Sequence, residues 1–381
     1  MKRALILLLT TLLLCTACHD DKPEPASKEW RRVVVVCFWG ENSLSSYLQR
    51  DLDEIRQGYK DIPDGCKLVV YFDTSRSSER PYILTFDAKE GEKRLYDYPN
   101  DPISTDSTAM QQMLGMVMSR FPSQHYGLVI GSHGSGWVPQ APRYTIGVDN
   151  GRNTSSNVGT EMEIPTLAGI LRQTKKKWDY VVFDACFMQT VEVVYELRDV
   201  VQWCIGSPAE IPAAGLPYDC LMGSLFVETD EAWRIAEDYY DTYRDNIGLI
   251  ISAVKTEELA TLAQATAPLI ARLPQFPPTE GIQRYYGLEY PGQWLPEFFD
   301  MGSAMLRWFG KEEYRQWLAA LDRAVPHRYT TPQWETSYPY VDARLTDPDG
   351  TVALSMYIPV EGGLLNTQIP RFGWYRASGW H

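Results

Sequence analysis

Basic residues are scarce here: 36 Lys plus Arg stand against 49 Asp plus Glu, a formal charge of −13 over 381 residues. Nucleic-acid binding needs a basic stripe to displace phosphate counterions, so no nucleic-acid partner is expected. The 27 glycines and 25 prolines follow no three-residue period, which excludes a collagen-like rod. With 44% hydrophobic and 12% aromatic residues the chain is too apolar to be intrinsically disordered. It has no internal repeat, no low-complexity stretch and no EF-hand loop. The apolar run from Ala4 to Ala17 is too short to span a bilayer as a helix. The seven cysteines cannot all be paired with one another.

The short run behaves as a processing signal. Lys2 and Arg3 precede it, the pattern of a secretory signal peptide over residues 1–17. Its end, Leu14-Cys15-Thr16-Ala17-Cys18, resembles a bacterial lipobox, with the small Ala17 before Cys18. Cys18 is thus the candidate lipidation site and mature N-terminus, and the lipid makes a membrane the expected partner. Residues 18–30 are polar and proline-containing and form a tether. Asp20 and Asp21 resemble surface-export signals, so the expected location is the cell envelope, at the outer membrane or cell surface.

From Arg31 strands alternate with helices. Val33–Trp39 and Lys67–Asp73 are continuous apolar runs, as in strands buried on both faces of a parallel sheet. Between them Leu44, Leu48, Leu52 and Ile55 recur at helical spacing over Ser43–Tyr59. Tyr82–Asp87 and Glu92–Asp97 predict a small antiparallel extension. Asp106–Phe121 predicts a helix capped by Asp106, and Tyr126–Ser132 a strand. A helix over Ile164–Lys177, a strand over Asp179–Asp184, a helix over Met188–Val200 and a strand over Val201–Gly206 continue the alternation. The class is α/β, doubly wound over residues 30–206. Residues 31–381 are expected to form one domain, with 208–381 as a helix-rich elaboration or subdomain. There helices are predicted over Ala232–Asn246, Thr256–Ala271, Leu295–Phe309 and Glu312–Ala324, with a strand over Leu249–Val254. Val341–Leu345 and Thr351–Ile358 are expected to close a sheet around the turn at Asp347–Gly350.

Reacting groups of open α/β sheets gather beyond the carboxyl ends of the strands. His133 follows the strand ending at Ser132, and Cys186 follows the strand ending at Asp184. A cysteine at a strand-to-helix junction faces N–H groups that favour its thiolate. A nearby imidazole can take the thiol proton and return it to a leaving amine. The backbone N–H groups of Gly134 and Cys186 are candidate oxyanion donors. Asp184, two residues before Cys186 on a strand, points the same way and is the candidate substrate-binding carboxylate, the alternative being a structural residue that hydrogen-bonds the turn. Cys37, Cys66, Cys204 and Cys220 are expected to be core thiols. His125 precedes the strand that ends at Ser132 and lies at the wrong edge of the sheet.

The segments Gly131-Ser132-His133-Gly134-Ser135-Gly136-Trp137 and Asp184-Ala185-Cys186-Phe187-Met188, in the order His then Cys, resemble the clostripain-like cysteine peptidases of peptidase family C11. The resemblance implies a caspase-type fold, a largely parallel sheet flanked by helices. It also implies an endopeptidase with a Cys186–His133 dyad, acting on protein or peptide substrates after Arg or Lys. No cofactor or metal site is required, although calcium is associated with some members. Pro212–Leu216 departs from the family, with Ala214 where a second pocket acid often stands, which counts against a basic preference. The polar stretch Pro139–Gly159 is a candidate for self-cleavage after Arg143 or Arg152. The alternative reading is a catalytically weak caspase-like lipoprotein that binds peptides or glycans through its aromatic residues.

Overall fold

Valine-rich runs with no polar interruption can leave neither face to water, so they settle in the middle of a sheet covered on both sides. In the computed structural model β1 (Arg32–Gly40) and β2 (Cys66–Thr74) are such strands, buried along their whole length. The structure describes residues 29–76, 79–138, 145–152, 154–290, 293–337 and 343–380. The signal peptide, Cys18, most of the tether, Arg143 and His381 lie outside the described residues.

The further strands are β3 (Tyr82–Phe86), β4 (Lys93–Asp97), β5 (Tyr126–Gly131), β6 (Ile146–Asp149), β7 (Thr160–Met162), β8 (Trp178–Asp184) and β9 (Val201–Gly206). The C-terminal half adds β10 (Ile250–Lys255), β11 (Arg284–Tyr290), β12 (Gln293–Asp300), β13 (His327–Thr330) and β14 (Ser355–Tyr357). Among the described residues a nine-stranded sheet runs in the order β13-β10-β9-β8-β5-β1-β2-β3-β4. Its five central strands are parallel, and the two at each edge pair antiparallel. The chain passes from β1 outward to β2, then returns to β5 on the other side of β1. Strand order therefore reverses between β1 and β5, where such sheets open a crevice. This mixed α/β architecture is the expected one.

The helices are α1 (Ser45–Gly58), α2 (Ser107–Arg120), α3 (Ile164–Gln173), α4 (Val191–Leu197), α5 (Tyr218–Leu221), α6 (Arg234–Tyr243), α7 (Leu259–Ile270), α8 (Met301–Ala324) and α9 (Gly373–Ala377). Alternate residues of β1 send their side chains to opposite faces. Val34, Val36 and Phe38 pack with Leu48, Leu52 and Ile55 of α1 and with Tyr239 of α6. Val33, Val35 and Cys37 pack with Leu114 and Val117 of α2, Leu171 of α3 and Val194 of α4. The second core also takes in Phe298, Met301 and Tyr357 from the C-terminal half.

Several boundaries differ from the sequence expectation. Leu295–Asp300 is strand rather than helix. Pro296 lacks the N–H that a helix interior uses, and Asp300 is the true N-cap of α8, its carboxylate accepting from Ser303 N at 3.0 Å. The two helices expected over 295–324 become one stretch kinked at Gly310, whose φ of 70° is not helical. α4 starts at Val191 instead of Met188, because Thr190 caps it. Ser355–Tyr357 pairs with β12, while Ala343–Leu345 hydrogen-bonds to Pro332–Trp334, so these two segments do not pair with each other. Cys37, Cys66 and Cys204 are buried free thiols as expected, but Cys220 is exposed. It lies within the short α5, on the side away from buried Tyr218 and Leu221.

One buried ion pair bolts β1 to β8: Arg32 donates to Asp179 at 2.9 Å, both side chains almost fully buried, and also to the Thr229 hydroxyl. His125 reaches the same carboxylate at 3.2 Å, a structural role at the entry edge of β5. Asp179→Ala strands a buried guanidinium, and urea unfolding should show a loss of about 3–5 kcal/mol.

Candidate active site

Three loops leave the carboxyl ends of β1, β5 and β8 side by side, and hydrogen bonds knot them together. The Ser132 hydroxyl donates to Trp39 O at 2.6 Å, and Ser132 N donates to Asp184 O at 3.3 Å. Asn42 Nδ2 donates to Trp39 O at 2.9 Å and to Val148 O at 2.8 Å. Gly147 N donates to His133 O at 2.9 Å, so β6 supports the histidine from behind.

A cleft of about 270 Å³ opens over this knot, lined among others by His133, Asp184, Cys186, Asp51 and Ile211. The structure thus places the three side chains singled out in the sequence in one cavity. Gly134 faces the nucleophile loop so closely that a Cβ would lie 2.7 Å from Cys186 O and 2.9 Å from Met188 Sδ. Only glycine fits there without displacing the Cys186 loop. Among the described residues neither Gly134 N nor Cys186 N donates to a backbone carbonyl. Phe187, directly after Cys186, holds φ at 62°, a left-handed conformation that is strained for a bulky residue. Its N–H donates to Ala209 O at 2.9 Å and its ring is buried, which anchors the turn.

His133 is held by neighbours the sequence reading did not single out. Its Nε2 lies 3.0 Å from the Ser43 hydroxyl, and Asn157 hydrogen-bonds both to the imidazole and to Ser43 N, the latter at 2.9 Å. Burial lowers the His133 pKa, against the Asn157 contact that raises it. Burial pushes the Cys186 thiol up to about 12, although the N–H groups of Ile211 and of Cys186 itself favour the thiolate. Both shifts favour neutral thiol and neutral imidazole over an ion pair in the resting site.

Asp184 accepts from Leu216 N at 3.0 Å and from the Tyr218 hydroxyl at 2.9 Å. Beside it stands Asp51 from α1, 2% exposed, for which the described residues supply no hydrogen-bond donor or ion pair. Gly215, at φ 68°, brings the loop over both: a Cβ there would meet Asp184 Oδ2 at 3.0 Å and Asp51 Oδ2 at 3.3 Å. Burial and the Asp184 charge raise the Asp51 pKa, and burial raises that of Asp184. Ala214 is exposed and does not line the cleft, and Asp51 reaches the floor from a different element. In sequence Asp51 had one visible signal, a carboxylate on the apolar stripe of an amphipathic helix next to Leu48 and Leu52. Glu210 forms the far wall, accepting from Ser337 N at 2.7 Å and from the Thr336 hydroxyl. Arg152 lies exposed in the turn after β6.

The profile of the clostripain family matches residues 36–285. Clostripain of Hathewaya histolytica is 24% identical over 246 residues, 52% of this chain and 46% of that protein, so the chain spans about half the length of that relative. A secreted C11 cysteine protease of Bacteroides thetaiotaomicron, solved in complex with an irreversible peptide inhibitor, superposes with a TM-score of 0.78. It is 30% identical, over 92% of this chain and all of its own (100%). An inactive zymogen C11 protease of Parabacteroides distasonis gives 0.77 at 28% identity, over 92% and 98% of the two chains. A family match over more than half of the sequence and superposition along nearly the whole fold agree with the His133 and Cys186 loops: the chain belongs to the clostripain family, C11.

Proposed function

We propose that the protein is an exported, lipid-anchored cysteine endopeptidase that cleaves after Arg or Lys. The observation that carries the specificity is the pair Asp51 and Asp184, buried side by side in the cleft that holds Cys186, with no cation paired to either among the described residues. An unpaired buried carboxylate is unfavourable by itself and becomes favourable when a guanidinium or ammonium enters. Export is supported by the secreted relative and by the N-terminal signal, and attachment by the lipobox at Cys18.

In this reading the P1 side chain enters the cleft towards Asp51 and Asp184, which lays the scissile carbonyl over Cys186. The thiol proton passes to His133 as sulfur bonds to the carbonyl carbon. The oxyanion takes hydrogen bonds from the N–H groups of Gly134 and Cys186. Collapse breaks the C–N bond, and His133 returns the proton to the leaving amine. Water then attacks the thioester with His133 as base, releasing the acid and restoring the thiol. Ser43 and Asn157 hold the imidazole through both halves. Burial, which raises the thiol and lowers the imidazole, favours proton transfer that accompanies attack over one that precedes it.

Cys186→Ala should abolish peptide hydrolysis and labelling by an Arg- or Lys-directed acyloxymethyl ketone while leaving the circular-dichroism spectrum unchanged. If the wild type neither labels nor hydrolyses any peptide library, the binding role stands instead. Asp51→Asn should lower kcat/KM for Arg and Lys substrates roughly a hundredfold, since unpairing a buried charge costs about 2–5 kcal/mol. Raised carboxyl pKa values mean that stability present below about pH 4 is lost as pH rises through the folded-state value. Asp51→Asn should therefore raise Tm relative to wild type by a margin that grows from acid to alkaline pH. For the same reason wild-type kcat/KM for an Arg substrate should climb with pH relative to its neutral citrulline analogue. Cys18→Ser should move the protein from the membrane to the soluble fraction, as fractionation and immunoblotting would report.

A further inference from the structure

The parallel strands β1, β5 and β8 all begin at the end of the sheet opposite the cleft, and the segments leading into them lie side by side there. Trp30 N donates to Pro122 O at 2.8 Å, and Val33 N to His125 O at 3.0 Å. Gln124 Nε2 donates to Glu29 Oε1 at 2.8 Å, and Lys176 Nζ to Gln124 Oε1 at 2.8 Å, so residues 29–31, 120–125 and 172–177 meet on one surface. The three segments hold the cations Arg31, Arg120, Arg172, Lys175, Lys176 and Lys177 against one acid, Glu29. Lys176 is half-buried and the other five cations are exposed. Among the described residues none of these cations forms an ion pair. Glu257 feels the charge of Lys177 but is itself paired to Lys255 at 2.7 Å. Further out along the same edge the charges cancel, Lys89 with Asp64 and Arg198 with Asp199.

Such a basic face stands out in a chain of net charge −13. Neutralisation of helix ends accounts for part of it: Arg120 and Arg172 lie in the last turns of α2 and α3, whose carbonyls favour positive charge. It does not account for Arg31, or for the run Lys175–Lys177 beyond the end of α3. Lys175 holds φ at 55°, a left-handed conformation that glycine or asparagine would take with less strain. A lysine is kept there against the preference of its backbone.

A second observation points to the occupant. The chain enters the fold at residues 29–31, so the segment that leads back to Cys18 joins the fold on this same surface. That segment, residues 18–28, reaches at most about 39 Å when fully extended. We propose that this face docks on an anionic phospholipid bilayer, its Lys and Arg side chains lying against the phosphate headgroups. Attraction to a charged surface fades beyond a Debye length of about 8 Å, and each cation contributes little alone. A tether rooted in the face keeps it close to the membrane, so a weak attraction is enough to orient the body. Because β1 rises about 3.3 Å per residue over Arg32–Gly40, the cleft then stands about 26 Å above the docked face and opens away from the bilayer, towards arriving substrate. This orientation rests on the lipid-anchored reading, but the attraction of the face for anionic headgroups does not.

The test uses the chain from residue 18 onward, the mature form in that reading, carrying Cys18→Ser so that no lipid is present and Cys186→Ala so that no nucleophile is. It is sedimented with vesicles of mixed phosphatidylglycerol and phosphatidylcholine, or of phosphatidylcholine alone. Since the chain as a whole is acidic, preference for the anionic vesicles has to come from this face. Binding should require phosphatidylglycerol and should fall steeply as sodium chloride is raised from about 50 to about 300 mM. Lys175→Glu, Lys176→Glu and Lys177→Glu combined should weaken it at least about tenfold with an unchanged circular-dichroism spectrum. Arg120→Glu with Arg172→Glu should do the same, and decides the matter if the triple variant does not fold. In lipidated full-length Cys186→Ala protein on the mixed vesicles, hydrogen exchange should slow in residues 120–125 and 172–177 and stay unaltered in 132–137 and 186–189. Equal binding to both kinds of vesicle, binding undiminished in the folded variants, or protection at the cleft loops instead would overturn the docking face. A Cys18 found without lipid would leave the vesicle result as it is. A lipidated protein indifferent to phosphatidylglycerol would keep its anchor and lose this face.

Discussion

The chemistry hangs on the point where strand order reverses between β1 and β5. A doubly wound sheet sends its loops in opposite directions there, and the backbone groups they leave behind must find partners or water. The chain answers with a knot: Trp39 O accepts from both Ser132 Oγ and Asn42 Nδ2, and Asn42 also reaches Val148 O. Residues adjacent to this knot then have little freedom. His133 follows Ser132, Ser43 follows Asn42, and the Asp184 backbone is bonded to Ser132 N, two residues before Cys186. The nucleophile loop is held from a second side by Phe187 N on Ala209 O and by the close approach of Gly134.

Around the knot, negative charge is concentrated without matching basic residues. Asp51 and Asp184 face the cleft, while Glu41, Asp73, Asp101 and Asp149 gather on the other side of the Glu41–Ser43 loop. A fold that merely needed stability would fill such positions with apolar side chains. The contrast is Asp179, equally buried but matched by Arg32, Thr229 and His125. Buried acids with and without a cationic partner among the described residues thus stand in one chain.

The C-terminal half contributes through packing. β10 and β13 extend the main sheet, and Trp137, four residues after His133, lies against Phe298, Tyr357 and Phe372. The histidine loop therefore rests on residues more than 150 positions later in the chain. That dependence has no local signature, because each of those aromatics reads as ordinary core.

The central strands, the first helices and the His133 and Cys186 positions were legible in the sequence because their signals are local. A double-faced strand must be continuously apolar, and a reacting group in this architecture follows the strand end. The C-terminal elements were read less well, since Leu295, Phe298 and Phe299 have a spacing compatible with a helix face, and pairing with β11 and β14 makes the segment a strand. Asp51 was passed over for a related reason. Position 214 was weighed as the neighbour along the chain, whereas Asp51 arrives from α1, more than 130 residues away from Asp184. Sequence determines which segments bury themselves and what functional groups they carry. Only the tertiary structure decides which carboxylates end up without a partner, because a missing counter-charge is a property of space and not of any segment.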